Sequence, residues 1–154
     1  MKGFKNARVY VYGKGIISYD VAVENGKIVK IGNDLDIDQA YCFNGIVVPG
    51  FVDRHIHGAG GADGMDGDVE KIKTIADSIV KEGTTSFLVT TMTQSEENIL
   101  KALNAVKNYA RKSGARVQGV HLEGPFIAEK YKGAQPLEFI KKPDKRLMDR
   151  FIKA

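Results

Sequence analysis

Val48-Pro49-Gly50-Phe51-Val52-Asp53-Arg54-His55-Ile56-His57-Gly58 is a hydrophobic run that stops at two histidines spaced two residues apart. Read as a strand, it puts positions i and i+2 on the same face, so His55 and His57 converge on one small volume. Two neutral imidazoles at that separation can bind one divalent metal. They can equally be strand-end histidines satisfied by hydrogen bonds. A second apolar run, VQGVHLEGPF at 117–126, ends in a carboxylate followed by Gly-Pro. Glu123 thus matches His57 in its place along a strand: a metal-capable side chain just before a chain-turning residue, or else a solvated glutamate at a loop entrance.

The segments between supply helical crossovers. Residues 68–81 carry Val69, Ile72, Ile75, Ile79 and Val80 at helical spacing, with Asp68 as N-cap and Gly83 as stop. TTSFLVTT at 84–91 is β-branched and aromatic and reads as a strand. Residues 93–113 open on Thr93-x-x-Glu96, a capping-box pattern, and then set Ile99, Leu100, Leu103, Val106, Tyr109 and Ala110 on one face before Gly114. Strand, helix, strand, helix, strand implies parallel strands joined by right-handed crossovers, with all C-terminal ends along one edge. In a β/α barrel that edge carries the chemistry, which would gather His55, His57 and Glu123.

The first 48 residues read differently. Alternation in ARVYVY (7–12), a Gly13-Lys14-Gly15 turn, the run 16–24, the Asn25-Gly26 hairpin signal and KIVKI (27–31) predict short antiparallel strands. Residues 32–41 are polar and predict a loop, and 45–48 lead into the first barrel strand. The expected fold class is α/β: a partial (β/α)8 TIM-type barrel of about three strand-helix units, preceded by a small antiparallel β segment. A complete barrel needs roughly 200–250 residues. The helical pattern that starts at Pro143-Asp144 (Leu147, Met148, Phe151, Ile152) reaches Ala154 without an exit signal, so the chain is expected to be a truncated barrel.

Composition bounds the function. With 43% hydrophobic and 27% charged residues, and no apolar run near the ~18–20 residues of a membrane span, the chain reads as soluble and globular with no membrane partner. The first residues lack an apolar stretch of the secretory kind, and a single cysteine, Cys42, fits a reducing cytoplasm or a small buried apolar position. The whole net charge of +4 arises after residue 128. Lys130, Lys132, Lys141 and Lys142 can attract a phosphorylated substrate or simply form a solvated surface. No recognisable nucleic-acid-binding motif accompanies them, so nucleic acid is not expected as a partner.

PGFVDRHIHG, the glycine-rich GAGGADGMDG at 58–67 that overlaps its end, HLEGPF and KGAQP together resemble the N-acetylglucosamine-6-phosphate deacetylases of the amidohydrolase superfamily. HxH after a PGF-type strand is shared by many amidohydrolases, whereas HLEGPF followed by KGA is particular to the sugar-phosphate deacetylases. The resemblance runs the length of the chain and covers the N-terminal part of a family enzyme. It implies residues 1–48 as the N-terminal β segment of a small composite β domain and 49–154 as the first part of a metal-dependent hydrolase barrel. It implies hydrolysis of the acetamide of N-acetylglucosamine 6-phosphate to glucosamine 6-phosphate and acetate, in cytoplasmic amino-sugar catabolism, with a homodimer at full length. One or two divalent ions, zinc or iron, are implied as cofactor.

By the same resemblance Glu123 binds the main metal together with two later histidines, His55 and His57 contribute to a neighbouring metal position, and Ala134 marks a backbone contact to the sugar. Relatives often carry histidine after that alanine; Gln135 stands here instead. The late acid/base carboxylate of the family and the two later histidines have no counterpart, so the segment alone is expected to be inactive. Two other readings stay open: another amidohydrolase acting on cyclic amides or bases, and a non-catalytic metal-binding module.

Three further features are open to more than one role, and Arg54 has one expected orientation. His121, two before Glu123, is a ligand, a support for one or a core histidine. Asp53 orients His55 or pairs with backbone. Arg54 is expected to face the helix layer. The glycines at 58–67 form a mobile loop at the site edge, as a lid or as a plain connection.

Overall fold

The computed structural model describes residues 1–42 and 44–154. Their contacts divide them into two units, Met1–Pro49 and Gly50–Ala154.

In the first unit β1 (Lys2–Val11), β2 (Gly15–Glu24) and β3 (Lys27–Gly32) form an antiparallel meander. Asn25 and Gly26 sit at φ 50° and 74°, the left-handed pair that a two-residue hairpin turn demands. β4 (Gln39–Tyr41) and β5 (Ile46–Val47) both pair parallel with β1, so the sheet is mixed rather than purely antiparallel. Ala7, Val9 and Val21 are buried together, and Ala22 is buried with Leu35 and Ile37. The expectation of a polar loop at 32–41 is therefore corrected: Leu35 and Ile37 are core, and Gln39–Tyr41 form β4.

A buried carboxylate fastens that segment. Asp20, 5% exposed, accepts the Asn6 N–H at 2.8 Å and the Leu35 N–H at 3.0 Å. These two donors hold its pKa below the ordinary aspartate value. Cys42 is an exposed free thiol.

The second unit follows in chain order as β6 (Phe51–Ile56), β7 (Gly58–Ala59), β8 (Ala62–Asp63), α1 (Val69–Ile79), β9 (Thr84–Thr90), α2 (Glu96–Asn108), β10 (Arg116–His121) and α3 (Lys145–Lys153). β6, β9 and β10 form a parallel sheet in the order β10-β9-β6, each joined to the next by a helix, so their C-terminal ends share one edge. The unit is an α/β structure.

Local signals explain the helix limits. The Asp68 side chain accepts the Glu70 N–H at 2.8 Å, and Gly83 at φ 93° follows a single 3₁₀ turn that ends the α1 segment. α2 starts later and ends sooner than the 93–113 periodicity suggests. Its cap is Ser95, whose hydroxyl accepts the Asn98 N–H at 3.2 Å, so Thr93-x-x-Glu96 is not a capping box here. Ile72, Ile75, Ala76 and Ile79 of α1 pack on Phe87 and Val89 of β9 with Ala105 and Ala115, each large side chain contributing about 1.5–3 kcal/mol by leaving water. Leu147 and Phe151 dock α3 on Ile99.

The glycine-rich stretch is a built element rather than an open loop. β7 and β8 pair as a hairpin, Ala62 joins the core, and the Asp63–Asp66 capping box closes a 3₁₀ turn behind it. Among the described residues no helix is long and apolar enough to cross a membrane.

Candidate metal centre

β6 and β10 deliver the candidate donors from either side of β9. The Nε2 atoms of His55 and His57 lie 3.1 and 3.2 Å from the same carboxylate oxygen, Glu123 Oε2. The three donor atoms fall within 4.8 Å of one another, and the two rings meet edge-on with centroids 5.2 Å apart. Oε2 is buried and has no hydrogen-bond partner. A buried carboxylate oxygen left without a donor is costly, and two imidazoles aimed at it without bonding to it make a set that a divalent cation completes. Two imidazole nitrogens and one carboxylate oxygen suit a divalent transition-metal ion.

The end of β9 positions all three residues. The Ile56 N–H, between the histidines, donates to Thr90 Oγ1 at 3.0 Å. His57 Nδ1 stands 3.3 Å from the Thr90 carbonyl; a proton held there leaves Nε2 as the lone-pair nitrogen. The Glu123 N–H donates to Thr91 Oγ1 at 3.2 Å. Gly124 is required by the fit, since a Cβ there would lie 1.9 Å from Thr93 Oγ1 and its φ is +77°. Gly64 donates its N–H to the His57 carbonyl at 2.7 Å.

Other expected residues fall as follows. Asp53 does not orient the His55 ring; its carboxylate accepts the His55 backbone N–H at 2.9 Å. His121 packs its ring on His55, centroids 4.7 Å apart, and is outside the close donor set. Arg54 is exposed rather than covered by the helix layer, and Ala134 is exposed on the turn at 132–136. Lys132 is not a free cation: its Nζ donates to the Gly133 and Gln135 carbonyls at 3.3 and 3.0 Å.

The sequence reading missed the part played by Gln135. It is 5% exposed, and its Nε2 donates to Glu123 Oε1 at 2.7 Å. The signal available was an amide in a segment otherwise matching KGA, without a hint of what it would touch.

Residues 46–154 match the amidohydrolase family, and the chain belongs to it. Within that family its similarity is to sugar-phosphate deacetylases. It is 39% identical over 137 residues to N-acetylglucosamine-6-phosphate deacetylase of Lysinibacillus sphaericus, covering 86% of this chain and 35% of that relative. It is 42% identical over 111 residues to the Bacillus subtilis (strain 168) deacetylase of the same name, covering 69% and 28%. The crystal structure of N-acetylglucosamine-6-phosphate deacetylase from Thermotoga maritima superposes with a TM-score of 0.80 at 33% identity, over 96% of this chain and 39% of that one. The chain spans about a third of the length of these relatives.

Proposed function

We propose that β6, β9 and β10 are the first strands of a β/α barrel in a metal-dependent amide hydrolase, and that its reaction is deacetylation of N-acetylglucosamine 6-phosphate. The carrying observation is the convergence of His55 Nε2, His57 Nε2 and Glu123 Oε2 at a shared strand edge with Oε2 buried and without a donor. The family match and the deacetylases similar along this chain support the substrate class.

His55, His57 and Glu123 would hold the cation, zinc or iron, as one ion or as two, with Glu123 at the main position and the histidine pair at a neighbouring one. When bound, it supplies polarisation of the amide carbonyl and a coordinated water of pKa about 7. The chain's own residues do the positioning. Thr90 fixes the tautomer of His57, and the 90–93 segment sets the height of Glu123 against the histidines. The His55 side chain is 51% exposed, which keeps the centre open on the side from which an acetamide can approach. Ala134 presents backbone near the site for the sugar. By the resemblance to the deacetylases, further ligands and the proton donor to the departing amine would come from other residues of the enzyme.

Acetate release from N-acetylglucosamine 6-phosphate by the complete gene product tests this reading, with bound metal measured in the same preparation. Release that disappears in Glu123→Ala supports it. A metal-free protein that still hydrolyses the amide, or a Glu123→Ala variant of full activity, overturns it.

A further inference from the structure

We propose that Gln135 is a positioning residue for Glu123: it occupies one carboxylate oxygen so that the other alone faces the cation site. The inference rests on the metal-centre reading above and adds to it Gln135, which belongs to none of the strands. Every hydrogen-bonding atom of the side-chain amide is engaged. Oε1 accepts the Thr93 N–H at 2.7 Å, while Nε2 donates to Glu123 Oε1 at 2.7 Å and to Met92 Sδ at 3.7 Å.

These partners settle which way the amide points. A backbone N–H can only donate and a carboxylate can only accept, so the reversed amide would set donor against donor at Thr93 and acceptor against acceptor at Glu123. The amide therefore links the chain just after β9 to the carboxylate just after β10, and the Thr91 hydroxyl holds the Glu123 N–H from the same stretch. Gln135 is itself fixed at its backbone. Its N–H donates to the Lys132 carbonyl at 3.1 Å, and its carbonyl accepts from Lys132 Nζ at 3.0 Å.

The consequence for the site is a division of labour within one carboxylate. Oε1 is committed to a neutral donor whose charge does not change with pH, and Oε2 is left buried, unbonded and between two imidazoles. A rotation of the Glu123 carboxylate that would take both oxygens to a cation breaks the Gln135 bond. Glu123 is thus presented through one oxygen, in a fixed rotamer, before any ion arrives.

The test compares Zn²⁺ affinity and the visible spectrum of bound Co²⁺ in the wild-type protein, Gln135→Leu, Gln135→Asn and Glu123→Ala, with far-UV circular dichroism and metal-free melting as measures of folding. Gln135→Leu removes the donor at similar volume. Gln135→Asn keeps a polar amide too short to span Thr93 and Glu123, and serves if the leucine variant does not fold. The expected result is a loss of Zn²⁺ affinity of about 10- to 100-fold in both, the range typical of groups that orient a metal ligand, with altered Co²⁺ bands and an unchanged dichroism spectrum. Wild-type affinity and bands in the folded variants overturn the proposal, even if their metal-free melting temperature falls, because a purely structural glutamine would give that pattern. If Glu123→Ala binds Zn²⁺ as well as wild type, the metal-centre reading itself fails; if it loses binding while the Gln135 variants keep it, only the role of Gln135 fails.

Discussion

Gly64→Ala should destabilise the second unit and loosen the histidine pair, although the added group is a single methyl on a position whose φ lies outside the left-handed region. The Cβ would stand 2.5 Å from Val89 Cγ1, 3.3 Å from the His57 carbonyl oxygen and 3.4 Å from the Thr90 carbonyl oxygen. Carbon atoms pack best near 3.5–4.0 Å, so about 1 Å must be recovered by moving either the turn or Val89. Val89 is 1% exposed and enclosed by the α1 side chains, which leaves it little room. Overpacking of this kind costs about 1–3 kcal/mol, against about 0.4–1 kcal/mol returned by a stiffer unfolded chain. The net expectation is about 1–2 kcal/mol of lost stability, a factor of about 5–30 in the folded fraction.

Urea unfolding followed by circular dichroism measures it, and Val89→Ala supplies the check. If the clash is real, the double variant is more stable than the sum of the two single changes by at least about 0.5 kcal/mol. Because the Gly64 N–H holds the His57 carbonyl at 2.7 Å, Zn²⁺ affinity should fall in Gly64→Ala and recover in the double variant. A Gly64→Ala protein as stable as wild type, or strict additivity with Val89→Ala, would refute the steric argument.

Three other outcomes follow from the same structure. His57→Ala removes one of the converging nitrogens, and Zn²⁺ affinity by isothermal titration should fall by at least about 100-fold, more than the loss of a merely orienting group; an unchanged titration would count against the site. Ile72→Ala, at a position fully buried on α1, should cost about 2–5 kcal/mol in chemical denaturation, and a cost under about 1 kcal/mol would mean that α1 does not seal the core as described. Asp20 has a folded pKa held below its ordinary value by the Asn6 and Leu35 N–H groups, so its stabilising effect is present above the unfolded aspartate pKa and fades as pH falls through the lowered one. Acid titration of wild type and Asp20→Asn should therefore converge at low pH, and a constant gap between them would refute the assignment.

What could be read from the sequence was whatever rests on neighbours along the chain. α1 announces itself because Asp68 and Gly83 act within a few residues of themselves, and the period-two spacing of His55 and His57 needs only a strand to bring both to one side. The misreadings share a cause of the opposite kind. Thr93 looks like a helix cap, but its N–H is taken by Gln135, 42 residues away, and Ser95 assumes the capping. Leu35 and Ile37 sit among polar residues and look solvated, yet they are buried because Asp20, on another strand, gathers the Leu35 N–H. The link from Gln135 to Glu123 has no local signature, since nothing in KGAQP says which acceptor the amide will meet.

One strand end serves as the jig for the whole donor set. The 90–93 stretch holds the β6 histidines through Thr90, the β10 glutamate through Thr91 and the Gln135 amide through Thr93. Alignment errors in either outer strand would thus displace one kind of donor, whereas melting of this four-residue anvil would scatter nitrogen and oxygen ligands at once. Metal capacity should accordingly vanish in a single step on heating, and amide exchange at Ile56 and Glu123 should quicken together rather than in turn.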